Sequence, residues 1–159
     1  FTAKHGSFNT GAGMTTLMID LANARLCAAK TPEQCFDASD VERPWLSTLN
    51  PDEAVGLHFG RVNDGRGYSL ACRLREKYPR IELYAIGHIH EDMLYFLRRC
   101  GFRYAHLLDR TDSVIERQAS DELRDLLFPF SHEYQVSAGD ERFPKEKVDA
   151  TRQVMGIAA

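Results

Sequence analysis

The hexapeptide Asp64-Gly65-Arg66-Gly67-Tyr68-Ser69 sets an acid, a guanidinium, two glycines and two hydroxyls directly before an apolar-periodic run. Where a helix begins, unpaired backbone N–H groups and the positive end of the dipole favour an anion, and glycines let that backbone come close to one. Arg66 adds a planar fork suited to a phosphate, a carboxylate or an oxyanion of sulfur. A second reading has Asp64 and Gly65 making a tight turn while Arg66 pairs with a neighbouring carboxylate. The stretch is neither G-x-G-x-x-G nor a P-loop, so spacing alone leaves both readings open. Gly65, Arg66, Gly67, Tyr68 and Ser69 form the candidate anion- or ligand-binding set, with Asp64 beside them as a proton-transfer candidate.

The second constellation is His88-Ile89-His90-Glu91-Asp92. In extended backbone His88 and His90 share a face, a spacing with which two imidazoles and a carboxylate clamp a divalent ion. Glu91 and Asp92, however, fall where a helix should begin, and acids there are ordinary dipole partners. The favoured reading therefore has no metal, with His88 a candidate acid or base beside Asp64. His58 and His106 lie inside strand-like runs and read as hydrogen-bonded sheet residues. Cys27, Cys35, Cys72 and Cys100 include no C-x-x-C pair, which suits free thiols in a reducing compartment. Neither Cys72 nor Cys100 is expected at a helix N-terminus, the usual place for a lowered thiol pKa.

The elements that must position these groups alternate along the chain. Residues 14–29 place Leu17, Leu21, Ala24 and Ala28 at helical spacing and predict a helix. A short strand over residues 34–36 and a brief helix over residues 40–49 follow, the latter with Pro44 in its first turn. Residues 54–59 and 81–86 read as strands, and each leads into a helix, over residues 68–78 and 91–100. Residues 104–108 form another strand, and Ser113-Val114-Ile115-Glu116 fits a capping box opening a helix that Pro129 ends. Residues 130–135 suit a last short strand.

This alternation predicts an α/β fold of repeated βα units, a mainly parallel open sheet covered by helices. About four or five strands are too few to close an eight-stranded barrel, so a half-barrel-like or small doubly wound sheet is expected. In such a sheet the loops leaving the carboxyl ends of the strands share one edge. Asp37, Asp40, Asp64, Arg66, His88, His90, Asp109 and Arg110 are expected to gather there.

With 159 residues and 43% hydrophobic content the chain suits one ordinary core. Residues 14–135 are read as a single α/β domain, 1–13 as a flexible extension and 136–159 as an appendage with at most one short helix. A formal charge of −3, with both signs interleaved, leaves no basic stripe for nucleic acid. No apolar run approaches the roughly 20 residues needed to span a bilayer. A cytoplasmic protein that binds neither membrane nor nucleic acid is expected.

The blocks NDGRGYSLACRLREKY, ELYAIGHIHEDMLYFLRRCGF and FPFSHEYQ resemble the bacterial DUF934 family, over residues 49–135 most closely. The family's motif residues fall on Asp64, Gly65, Arg66, Gly67, Tyr68, Ser69, Arg75, Arg99, Cys100, Gly101 and Phe102. Where the family usually has Gly-Asp after the third strand, this chain has Gly87-His88. The resemblance implies an oxidoreductase or an accessory protein of assimilatory sulfite reduction, partnered by a sulfite reductase component. The sequence itself carries no dinucleotide fingerprint, no iron–sulfur spacing and no redox dithiol, so no resident cofactor is expected. Two functions follow. One is an accessory module that binds a reductase partner or a small oxyanion at the DGRGYS edge. The other is a small enzyme with Arg66 as anchor and Asp64 or His88 as acid and base.

Overall fold

The computed structural model describes residues 13–40, 42–61, 65–107 and 120–129. These form six strands, β1 (Thr15–Asp20), β2 (Arg25–Lys30), β3 (Gln34–Asp37), β4 (Val55–Phe59), β5 (Leu83–Gly87) and β6 (Phe102–Ala105). Three α-helices accompany them among the described residues, α1 (Gly65–Lys77), α2 (Leu94–Arg99) and α3 (Ser120–Leu127). The sheet order is β2-β1-β6-β5-β4-β3. β3 to β6 run parallel, whereas β1 is antiparallel to both β2 and β6, so the α/β sheet is mixed.

The expected helix over residues 14–29 is instead a hairpin, with Thr15 facing Lys30 and Asp20 facing Arg25. Asp20 decides the matter locally. Its carboxylate accepts from the backbone N–H of Ala22 at 3.1 Å and Asn23 at 3.2 Å, and from the Asn23 side-chain amide at 2.8 Å. Such a side chain satisfies backbone donors in a turn that a helix would otherwise claim. Ala24 closes the loop in the left-handed region at φ 51. Leu17, a member of the supposed helical stripe, is 40% exposed, while Ile19 and Leu21 are buried.

The hairpin is tied to the parallel half through one irregularity. Leu83 faces Phe102 but Tyr84 faces Tyr104, which leaves Arg103 as the extra residue of a β-bulge. The Arg103 carbonyl accepts from Leu21 N–H at 2.9 Å, and its guanidinium reaches the Asp20 carboxylate at 3.4 Å. The Asp20 side chain is 1% exposed, so its charge stands on these bonds and on Arg25 at 3.8 Å.

The other expected elements fall close to their places. Residues 44–47 make a 3₁₀ turn with Pro44 at its start, and Trp45 stacks on Phe36 with ring centroids 4.4 Å apart. The helix expected over residues 91–100 is a 3₁₀ turn (Glu91–Met93) running into α2. The capping box at 113–116 and the strand at 130–135 lie outside the described residues.

The parallel strands follow one another across the sheet without reversal, and the crossovers keep α1 and α2 on the same face. Leu70, Ala71 and Leu74 of α1 and Leu94 and Leu97 of α2 bury against Val55, Leu57, Phe59, Leu83 and Ala85. Leu123 and Leu127 of α3 join them. Each such fully buried leucine contributes about 1.5–3 kcal/mol. A doubly wound sheet has helices on both faces, and those among the described residues lie on one. The opposite face carries Met18, Tyr84 and Ile86, with Cys35 and Tyr104 packed beside them. No helix among the described residues is long and apolar enough to cross a membrane.

Candidate functional site at the carboxyl edge of the parallel strands

Parallel pairing brings the carboxyl ends of β3, β4 and β5 to one edge, with Asp37 opposite His58, His58 opposite Ile86 and Phe59 opposite Gly87. α1 begins just past this edge. Asp64, and with it Asp109 and Arg110, lies outside the described residues.

The two glycines of the first turn of α1 have different physical causes. A Cβ on Gly67 would stand 2.4 Å from Cε1 of Phe59 and 3.1 Å from Cβ of Ala38, so only glycine lets the helix lie down on β4. At Gly65 a Cβ would meet nothing within 4 Å. Packing among the described residues therefore does not require that glycine. Gly65, Arg66 and Ser69 are exposed, and the first turn carries no acid. Tyr68 turns inward instead, its ring 5.7 Å from that of Phe59. Burial, with the neighbouring Cys100 and Asp92 adding to it, pushes its hydroxyl up to about 12, so Tyr68 keeps its proton.

β5 ends in a locked turn. Gly87 has φ 97, and a Cβ there would strike the Phe59 carbonyl oxygen at 2.5 Å and Nε2 of His58 at 3.0 Å. His88 N–H donates to that same carbonyl at 2.9 Å, and Ile89, 0% exposed, pins the loop to the core. His88 itself is exposed, and His90 is half-buried. The His90 N–H donates to Sδ of Met93 at 3.5 Å, and its carbonyl accepts from Met93 N–H at 3.1 Å, which shapes the entry to α2. Among the described residues no three His, Cys, Asp or Glu side chains are grouped to hold a metal ion.

His58 belongs to this edge, which its strand-like setting in sequence concealed. It lies half-buried on the sheet face away from the helices. Burial holds its pKa below the usual value, the Asp37 carboxylate opposes that shift, and His88 adds to it. His106, whose N–H donates to the Ala85 carbonyl at 2.9 Å, is likewise lowered by burial. Both imidazoles are therefore neutral near pH 7 and able to accept a proton. The pairing register was the missing signal, because it alone sets His58 between Asp37 and the end of β5.

A second group emerges on the flank of α1. Cys72, one turn after Tyr68, is hydrogen-bonded through its thiol to the thiol of Cys100 at the end of α2. The two elements meet closely there. A Cβ on Gly101, which has φ 97, would fall 2.5 Å from Cγ of Arg75, and the Arg75 guanidinium donates to the Ile81 carbonyl at 2.9 Å. Gly67, Arg75, Gly101 and Phe102 are thus packing residues, whereas Gly65, Arg66 and Ser69 are surface residues.

The described residues define a small α/β protein with a mixed sheet whose parallel strands bring Asp37, His58 and His88 to one carboxyl edge. The chain belongs to DUF934, a bacterial protein family of unknown function, whose model matches residues 36–144. The match begins within β3 and so leaves out the β1–β2 hairpin. No curated protein and no solved structure matches significantly.

Proposed function

We propose that this chain is a cytoplasmic accessory protein of assimilatory sulfite reduction that holds a small oxyanion, or the anionic surface of a reductase partner, at the start of α1. The carrying observation is Gly65, a glycine that packing does not demand, exposed beside Arg66 in a first turn without acids. An anion seated there gains backbone N–H donors, the helix dipole and the Arg66 fork. The link to sulfur metabolism rests on the family resemblance alone. In this reading β4–α1 and β5–α2 are repeats of one βα unit in a half-barrel-like sheet, and residues 14–135 form the functional domain.

Calorimetric titration with sulfite, sulfate and phosphate tests the proposal. Saturable binding that Arg66→Ala weakens by about tenfold, roughly the loss of one charge-assisted hydrogen bond, is expected. The variant should keep its thermal midpoint. Unchanged binding, or an unfolded variant, would overturn the site.

The cluster of Asp37, His58 and His88 favours a second reading, a small enzyme in which Arg66 anchors an anionic substrate and His88 or Asp64 moves a proton. Here His58, held neutral by burial, is an additional base. Turnover of a bound anion that is lost in His58→Gln while binding persists would move this reading ahead.

A further inference from the structure

The thiols of Cys72 and Cys100 meet across two helices, and neither reading of the α1 edge employs them. We infer that Cys72 and Cys100 form a thiol–disulfide exchange pair that takes a low-molecular-weight disulfide as oxidant, Cys72 attacking and Cys100 resolving. The argument starts from contact. Cys72 lies on the flank of α1 and Cys100 at the C-terminal end of α2, both half-buried, and their sulfurs are already within hydrogen-bond reach. Closing to a bond of about 2.0 Å brings the two sulfurs nearer than that contact. The two backbones are fixed by Arg75, whose stem lies on Gly101 and whose guanidinium holds the Ile81 carbonyl.

Local charge supports the order of attack. The Cys100 thiol donates to the Cys72 sulfur and brings Cys72 down to about 7, against the opposing effects of burial and of Glu76. The same bond and burial push Cys100 up, with Arg99 opposing. Tyr68, Glu76 and Arg99 are ionisable neighbours of the pair, and Asp92 lies beside Tyr68. The shift favours the thiolate of Cys72, with the shared proton held by Cys100.

The step balances without a cofactor. The Cys72 thiolate attacks a disulfide RSSR, forms a Cys72–SR mixed disulfide and expels RS⁻, which takes up a proton. Cys100 then loses its proton and attacks Sγ of Cys72, which closes the Cys72–Cys100 bond and expels the second RS⁻. Two thiols of the protein are oxidised, one RSSR is reduced to two RSH, and an excess of RSH reverses both steps.

The test incubates the full chain in glutathione buffers of rising oxidised-to-reduced ratio, followed by acid quench, alkylation and peptide mapping. The expected product is a cross-linked pair of peptides containing Cys72 and Cys100, lighter by two hydrogens and reversed by dithiothreitol. Cys27 and Cys35 should remain alkylated. Cys100→Ala should stop at one glutathione on Cys72, and Cys72→Ala should leave Cys100 unmodified. Separate alkylation of both thiols at every ratio, or glutathione on each without a cross-link in the wild type, would overturn the pair. Alkylation of Cys72 at pH 7 should slow several-fold in Cys100→Ala. A smaller thiolate population outweighs the higher nucleophilicity of a more basic thiolate. An unchanged rate would overturn the assignment of Cys72 as the attacking thiol.

Discussion

The units β4–α1 and β5–α2 have the same order of elements and opposite ends. β4 hands over through exposed Gly60 and Arg61 to a helix of 13 residues whose first turn carries Arg66 and no acid. β5 turns at Gly87 under the Phe59 carbonyl, buries Ile89 and enters α2, six residues long, through a 3₁₀ turn bearing Glu91 and Asp92. The first turn of α1 therefore carries a cation and no acid. The other unit has its helix start balanced by its own acids and contributes imidazoles instead. The same order of elements thus ends in two differently charged helix entries, one basic and one acidic.

Substitutions at glycine break this comparison most sharply. Gly87→Ala combines a left-handed φ with a Cβ 2.5 Å from a backbone oxygen that cannot turn aside. A loss of about 3–4 kcal/mol is expected in urea denaturation, enough to threaten folding of so small a domain. Gly67→Ala drives a Cβ into the Phe59 ring, which can shift in part, and a loss of about 1–3 kcal/mol is expected by the same measurement. A near-neutral result for either would mean that the turn relaxes and that the two loops differ less than their geometry indicates. Gly65→Ala is the counterpart in the open loop. It should stabilise α1 by up to about 1 kcal/mol while weakening any anion bound at the helix start. Equal anion affinity in this variant would remove the distinction between the two glycines.

The smallest effect concerns pH. His58 and His106 have folded pKa values below their unfolded ones because burial disfavours the imidazolium. Their contribution to stability is therefore fully present above the unfolded value of about 6.5 and is lost as pH falls through the folded values. Thermal unfolding at pH 7.5 and pH 5 should show a lower midpoint at acid pH, and His58→Gln should reduce the difference. An unreduced difference would assign it to other groups and leave His58 a solvated residue of the edge.

Much of the edge is legible in the sequence. Leu70, Ala71 and Leu74 mark α1 by their spacing, Pro79 its limit, and the runs at β4 and β5 their burial. From these, parallel pairing and a shared carboxyl edge follow. The hairpin was not legible, since Leu17, Leu21, Ala24 and Ala28 have helical spacing by coincidence. The competing signal was one aspartate whose partners include Arg103, far along the chain. His58 and His106 were placed in strands or beside them, yet their membership in the edge depends on register.

What the sequence by itself determined was local: which segments coil, where they stop, and that Gly65, Arg66 and Gly67 stand at a helix start. Helical periodicity is written within a few residues, because each turn contacts the next. Only the tertiary structure decided that the first segment is a hairpin, that Gly67 is needed by Phe59 while Gly65 is not, and that Cys72 meets Cys100. Those outcomes depend on contacts between residues distant in sequence, and single-chain spacing carries no record of which distant groups the core brings together.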